Sequence, residues 1–221
     1  MLNFLEPSTD IKEIGAYFQV KSMSEEYDYN ASNSISAMSS LVNDEVPSFI
    51  PNLESFVLKP KAKLTDIIST GYASDKGFLI SDKAKSILKI YNIDKGIYYP
   101  ATVEYKGQKF PYSFLYIASY FIENEMIDFP RSEFIEKKIS EIINNVTFDN
   151  FEQMIAYARK INPVHEIGFE KIFLKKEVSN FDMFRLGYVD NNIIVSERLK
   201  KDLKAQGITG IKFTDVENIF L

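Results

Sequence analysis

Two stretches of this chain, 115 residues apart, repeat one pattern: residues 78–89 read FLISDKAKSILK and residues 193–204 read IIVSERLKKDLK. Each begins with three apolar residues of strand type, continues with a serine, an acid and a base, and ends in an amphipathic helical pattern. The pattern predicts a strand–helix unit that occurs twice, with Ser81 and Ser196 as the helix N-caps. This repeat constrains the architecture, but it indicates no chemistry.

The composition is that of a folded protein without cysteine. Of 221 residues, 45% are hydrophobic and none is cysteine, which allows a substantial core and excludes disulfides, zinc–thiolate sites and thiol catalysis. The N-terminus lacks a signal-peptide pattern, and no apolar run has the length of a membrane span. We therefore expect a soluble, cytoplasmic protein that makes no contact with membranes.

The net charge of −5 is unevenly distributed along the chain. Residues 1–58 contain nine acids and two bases, a charge of −7, whereas the remaining residues contain 24 bases and 22 acids, a charge of +2. A negative protein without a clustered basic face is not expected to bind nucleic acid. The acidic N-terminal part either steers a basic partner or is a solvated surface.

Apolar runs and turn signals predict an α+β fold of antiparallel hairpins with packed helices, including two related strand–helix units. Residues 64–69 fit a strand or a helix equally well. Beyond the repeats, Ile135, Ile139, Ile142 and Ile143 have helical spacing and predict a helix that begins at Ser132. The remaining predicted elements are strands at 56–58, 167–174 and 210–213, hairpins at 97–105 with 108–121 and at 183–189 with 193–195, and a helix at 149–160 that begins with a capping box.

The chain divides by composition at about residue 55. Residues 1–54 form an acidic N-terminal part rich in Ser and Asn, for which we expect partial order, and residues 55–221 form the α+β domain. That domain has two possible lobes, 55–145 and 146–221. Residues 149–163, between the repeats, read as a packed helix and not as a flexible linker, which favours one continuous domain.

One segment has the composition of a protein-binding surface. Glu25, Glu26, Tyr27, Asp28 and Tyr29 combine acids, which steer a partner, with tyrosines, which supply large contact areas at low entropic cost. The alternative is an ordinary surface loop. We name these five residues the acidic segment and predict that they bind a partner.

No pattern indicates catalysis, a metal or a cofactor. The single histidine, His165, lies in a connection after Asn162 and Pro163, and no nucleophile-elbow or phosphate-binding glycine motif is present. One histidine without cysteine is a poor basis for a zinc site. We predict that the protein is not an enzyme and has no cofactor.

Several stretches resemble the bacterial immunity-protein family numbered eleven. The most specific are FDMFRL at 181–186, IVSERLK at 194–200 and GITGIKF at 207–213; GFLIS at 77–81, YPATV at 99–103 and IDFPRSEF at 127–134 are also similar. The resemblance covers residues 55–221. It implies a protein that protects its own bacterium from a polymorphic toxin encoded nearby, by binding that toxin.

Three hypotheses follow for the function. The first is an immunity protein that neutralises its cognate toxin by direct, non-catalytic binding. The second is an enzyme of unrecognised class, with a carboxylate/His site around His165 in a cleft between the repeat units. The third is an adaptor domain associated with a secretion system, which predicts no toxin gene next door. The oligomeric state stays open.

Overall fold

The computed structural model describes residues 1–41, 46–71, 77–118, 126–187, 189–190 and 192–221. These residues form a mixed α+β fold, rich in strands, with three mostly antiparallel sheets and five α-helices, which confirms the predicted fold class. The strands are β1 (Leu2–Pro7), β2 (Val20–Met23), β3 (Phe56–Leu58), β4 (Ile67–Ser69), β5 (Gly77–Ile80), β6 (Gly96–Tyr105), β7 (Gln108–Ile117), β8 (Glu133–Lys138), β9 (Glu141–Val146), β10 (Glu166–Phe173), β11 (Met183–Arg185), β12 (Ile193–Ser196), β13 (Ile211–Asp215) and β14 (Ile219–Phe220). The helices are α1 (Ile11–Ile14), α2 (Ile35–Ser39), α3 (Asp82–Leu88), α4 (Phe151–Ala158) and α5 (Glu197–Ala205).

The largest sheet has the strand order β2-β3-β6-β7-β5-β4 and is built around the predicted β6–β7 hairpin. Lys106 and Gly107 have positive φ angles of 52° and 74°, the pair of left-handed residues that a tight hairpin turn requires. The two strands pair from Tyr105 opposite Gln108 to Gly96 opposite Ile117. The predicted end of the second strand, at residue 121, lies outside the described residues.

The second sheet joins the two ends of the chain. Its order is β11-β12-β1-β13, and β1 runs antiparallel to both of its neighbours. Leu2 lies opposite Ser196 and Leu5 lies opposite Phe213, and both leucines are buried. The beginning of the acidic N-terminal part is therefore a central strand beside the second repeat unit. The predicted boundaries at residues 55 and 146 stay predictions.

The third sheet, β14-β10-β8-β9, corrects the helix predicted from Ser132. Residues 133–146 form the β8–β9 hairpin, with Ile135 buried, while Ile139 is 83% exposed with φ 59° near the turn. Isoleucines at positions 135, 139, 142 and 143 fit a helical stripe, but β-branched residues also favour strands. Pairing with β10 decided between the two. The predicted strand of 183–189 is likewise shorter, since β11 ends at Arg185.

Helix α4 begins one residue later than the capping box predicted. The N-cap is Asn150, whose side chain accepts a hydrogen bond from the Gln153 amide at 2.9 Å. The Gln153 side chain in turn accepts from the Asp149 amide at 2.9 Å. Gln153 therefore takes the third helical position predicted for Glu152, but its side chain binds the residue before the N-cap, so the arrangement is a variant of the predicted capping box.

The repeat is confirmed and extends upstream by one strand. In the first unit β4 pairs antiparallel with β5 and leads into α3; in the second unit β11 pairs with β12 and leads into α5. Ser81 and Ser196 cap these helices by accepting hydrogen bonds from the amides of Ala84 and Leu199. Each serine is therefore a structural cap, as the sequence predicted.

Hydrogen bonds also connect the two repeat units to each other. Asp66, before β4, accepts a hydrogen bond from the amide of Thr209, which follows α5, at 3.1 Å. Asp182, before β11, accepts one from the amide of Asn92, which follows α3, at 3.2 Å. The contacts are reciprocal, as in a pair of elements related by an approximate two-fold axis. One apolar cluster contains side chains of both units: Leu5, Ile67, Phe78, Ile80, Ala84, Leu88, Leu115, Ile117, Met183, Ile193, Val195, Leu199, Leu203 and Ile208.

Candidate functional site

The acidic segment lies between the end of β2 and the start of α2, and hydrogen bonds of Tyr27 connect it to two other parts of the chain. The Tyr27 hydroxyl donates to the carbonyl of Asn52 at 2.7 Å and accepts from the amide of Ile35 at 2.6 Å. Burial is the largest influence on this phenol and raises its pKa. Tyr27 therefore spans the start of α2 and a second surface stretch.

Tyr29 supports the same loop from the other side. Its hydroxyl accepts a hydrogen bond from the amide of Met23 at 3.1 Å, and its carbonyl accepts from the hydroxyl of Ser34, the N-cap of α2, at 2.8 Å. The rings of Tyr27 and Tyr29 meet edge to face with centroids 5.1 Å apart. The structure thus brings the two tyrosines together, mainly in a structural role.

The three carboxylates of the acidic segment, in contrast, lie on the surface. Glu25, Glu26 and Asp28 are exposed, and Asp28 accepts a hydrogen bond from the amide of Asn30. Asn52, the residue to which Tyr27 donates, lies between two further exposed residues, Ile50 and Glu54. Ile50 is 76% exposed. Exposed acids and an exposed apolar residue, in two stretches that the Tyr27–Asn52 hydrogen bond joins, are chemically suited to a basic protein surface that carries an apolar contact.

His165, the residue on which an enzymatic function would depend, lies elsewhere. Its Nδ1 is 2.6 Å from a carboxylate oxygen of Glu136 on β8. The other oxygen of Glu136 accepts from the hydroxyl of Tyr157 on α4 at 2.7 Å and from the side chain of Asn144 on β9 at 3.3 Å. We call these four residues the Glu136 cluster. It ties the β8–β9 hairpin to α4 and to the start of β10.

The hydrogen bonds of the Glu136 cluster favour an ionised carboxylate. The bond from His165 contributes most, those from Tyr157 and Asn144 add to it, and together they lower the pKa of Glu136. The Glu136 carboxylate also accepts the hydrogen bond from the Tyr157 hydroxyl, and this bond raises the pKa of Tyr157. Among the described residues, Glu136 is the only group that hydrogen-bonds to the imidazole side chain, so no serine or threonine hydroxyl is bonded to it. A nucleophile beside the base is the feature that such a dyad needs for acyl transfer.

Sequence reasoning missed Glu136 and Tyr157. Glu136 is 29 residues from His165 in sequence, and it fell within the stretch that was predicted as a helix, so no spacing signal joined the two. A buried glutamate on a strand would have been the available signal, once the strand itself was recognised. Among the described residues, no cluster of three or more potential ligands could hold a metal ion. No described helix is long and apolar enough to cross a membrane.

Comparison with known families gives one match. The sequence model of the Immunity protein family (Imm11) matches residues 50–218, which is most of the chain and includes both repeat units and the Glu136 cluster. The acidic segment lies outside the matched range. No curated protein matches this chain.

Proposed function

This chain belongs to the Immunity protein family (Imm11), and we propose that it neutralises its cognate toxin by binding it directly through the acidic segment. Family membership implies toxin neutralisation within a polymorphic toxin system, and such proteins are typically non-catalytic. What we add is the mechanism and the surface. We place the encounter in the cytoplasm of the producing cell, a reducing environment with which a cysteine-free protein is compatible.

The observation that carries the proposal is the contrast between the tyrosines and the acids of this segment. Hydrogen bonds from Tyr27 and Tyr29 hold the loop in place, while Glu25, Glu26 and Asp28 point their charges at solvent. A preorganised loop loses little conformational entropy on binding. Charges held at its surface speed the approach of a basic partner.

Charge reversal tests this surface. Replacing Glu25, Glu26 and Asp28 together by lysine is expected to slow association with the purified toxin about tenfold or more and to flatten its salt dependence. The dissociation rate should change less. A matched control replaces three exposed acids elsewhere, Glu141, Glu170 and Glu177, by lysine. An equal loss in both variants would attribute the effect to net charge, and an unchanged association rate in the first variant would exclude this surface.

Co-expression tests the function itself. The adjacent open reading frame, expressed alone, should kill the host, and this protein should restore growth and co-purify with the toxin in a fixed ratio. Rescue without a complex would contradict direct binding. A harmless neighbour would favour the adaptor hypothesis.

The Glu136 cluster is the one observation that favours an enzymatic function. A histidine oriented by a buried carboxylate resembles the base of a catalytic dyad. If chemistry at His165 protects the cell, the His165→Ala variant should lose protection while retaining its fold. We expect full protection from this variant, because the cluster links three structural elements and contacts no nucleophile among the described residues.

A further inference from the structure

A cavity of about 500 Å³ lies where the N-terminal strand meets both repeat units. Apolar side chains from five elements or connections form much of its wall: Leu5 on β1, Ile14 on α1, Phe18 in the following loop, Phe78 on β5 and Ile193 on β12. This volume is within the range of small-ligand pockets, which are also largely apolar with a few oriented polar groups. The acidic segment contributes no residue to it.

Gln19 supplies an oriented polar group in the lining. The residue is 3% exposed, and its side-chain nitrogen donates to the carbonyl of Lys63 at 2.6 Å and to the hydroxyl of Thr65 at 3.0 Å. The Thr65 hydroxyl donates onward to the carbonyl of Ile67 at 2.7 Å, so towards Gln19 it acts as an acceptor. The amide orientation is therefore determined. Its side-chain oxygen accepts no hydrogen bond from the described residues, which leaves it able to accept one from a ligand in the cavity.

The backbone at Phe18 is strained in a way that shapes this cavity. Phe18 has a φ of 49°, in the left-handed region that a bulky residue seldom occupies. Opposite it is Gly71, where a Cβ atom would lie 3.2 Å from the Phe18 ring. Tyr17, whose ring centroid is 4.3 Å from that of Phe18, is 54% exposed and marks the opening to solvent. Strain of this kind is concentrated at ligand-binding sites.

We propose that this cavity binds an aromatic ring bearing a hydrogen-bond donor, of the indole or phenol class. The walls include the rings of Phe18 and Phe78 together with aliphatic side chains, and such a lining suits a flat apolar ring. The oxygen of Gln19 requires an N–H or O–H group on that ring. This assignment does not depend on the proposed function, since the acidic segment is a separate surface.

Indole is the probe that tests the assignment. The protein contains no tryptophan, so indole emission excited at the red edge of tyrosine absorption reports on the probe alone. Titration with the full-length protein is expected to give a saturable blue shift. Indole should bind about fivefold more tightly than 1-methylindole, the ratio that one neutral hydrogen bond supports. No saturable shift, or equal affinity for the two probes, would overturn the assignment.

Variants separate the two parts of the site. Gln19→Met removes the acceptor and should bring the affinity ratio of indole to 1-methylindole close to one. Thr65→Val removes one partner of the Gln19 nitrogen but leaves its oxygen, so the ratio should stay near five. Thr9→Phe, at an exposed position of the lining, should weaken both probes alike. Thr9→Phe alters only a surface residue, so it keeps the test decisive if Gln19→Met fails to fold; undiminished binding by Thr9→Phe would contradict the site.

The donor-bearing ring has two possible sources, a free small molecule or a tryptophan or tyrosine side chain of a bound protein. Adding the purified toxin to the indole complex distinguishes them. Displacement of indole identifies a side chain of the toxin as the occupant, whereas a ternary complex identifies a free molecule. Both results are consistent with an aromatic ring bearing a hydrogen-bond donor as the ligand. Neither result tests whether the acidic segment binds the toxin.

Discussion

The hydroxyl of Ser196 donates a hydrogen bond to the carboxylate of Asp182, with 2.8 Å between the oxygens. The same hydroxyl caps α5, while Asp182 also binds the amide of Asn92 and the guanidinium of Arg198. The first repeat unit has the corresponding pair, Ser81 and Asp66, also at 2.8 Å. An aspartate before each hairpin therefore connects its own helix cap to the end of the other unit's helix.

Removing Asp182 should destabilise the protein more than removing Asp66. Loss of either aspartate removes the acceptor of a serine hydroxyl and of a backbone amide. The Asp182 side chain is 7% exposed and that of Asp66 is 15% exposed, so water replaces the lost acceptor less easily at Asp182. We expect Asp182→Ala to cost about 2–3 kcal/mol of unfolding free energy and Asp66→Ala about 1–2 kcal/mol. Urea denaturation monitored by circular dichroism measures both. Ser196→Ala and Ser81→Ala serve as controls, each expected to cost about 1 kcal/mol for the lost cap. A greater loss from Asp66→Ala would contradict this order.

Acid should remove the contribution of the Glu136 cluster. The pKa of Glu136 is lowered in the folded protein, so the unfolded chain takes up a proton first, near the ordinary value of about 4.3. The stabilisation is then complete above about pH 5 and is lost as the pH falls through the folded pKa. The difference in unfolding free energy between wild type and Glu136→Gln should shrink between pH 5 and about 3. A difference that stays constant across this range would contradict the linkage.

Two glycines with similar backbone angles should respond differently to alanine. Gly210 has φ 87°, and a Cβ there would lie 2.0 Å from the carbonyl oxygen of Ile67, whereas Gly107 has φ 74° with no atom within 4 Å. Gly107→Ala should cost about 1 kcal/mol, the conformational penalty alone. Gly210→Ala adds a backbone clash and should cost at least about 3 kcal/mol. Thermal unfolding of the two variants measures the difference, and equal melting temperatures would contradict it.

Two half-buried tyrosines should respond in opposite directions to loss of the hydroxyl. Burial raises the pKa of Tyr98 and of Tyr112 to about 12. The Tyr112 hydroxyl donates to the carbonyl of Thr65 at 2.8 Å, whereas that of Tyr98 has no hydrogen-bond partner among the described residues. Tyr112→Phe should therefore destabilise by about 1 kcal/mol, and Tyr98→Phe should be neutral or stabilising by a similar amount. Urea denaturation at pH 7 checks the signs, and a loss from Tyr98→Phe equal to that from Tyr112→Phe would contradict the argument.

Alkaline titration supplies an independent check on the same pair. Because both phenols keep their protons longer in the folded state, stability should fall as the pH rises from about 10 towards 12. Each phenylalanine variant should show a shallower fall than wild type. An unchanged pH profile in both variants would exclude these two phenols as the cause.

Local chemistry explains which predictions were right. Ser81 and Ser196 lie directly before amphipathic helical patterns, and Lys106 with Gly107 interrupts two strand-like runs, so short-range rules were enough to place the caps and the hairpin. The helix predicted from the isoleucines between Ile135 and Ile143 was wrong, because their spacing fits a helix and a β-hairpin alike. Only the pairing of β8 with β10, more than 25 residues apart in sequence, decided between them.

The sequence by itself determined the α+β class, the repeated strand–helix unit with its serine caps, and the family to which the chain belongs, because these depend on patterns within short windows. Only the tertiary structure decided that the N-terminal strand lies between β12 and β13, that Glu136 holds His165, and that Gln19 lines a cavity. Each of these joins residues far apart along the chain. Such contacts leave no periodic signal in the sequence, since their geometry is set by how the sheets pack on one another.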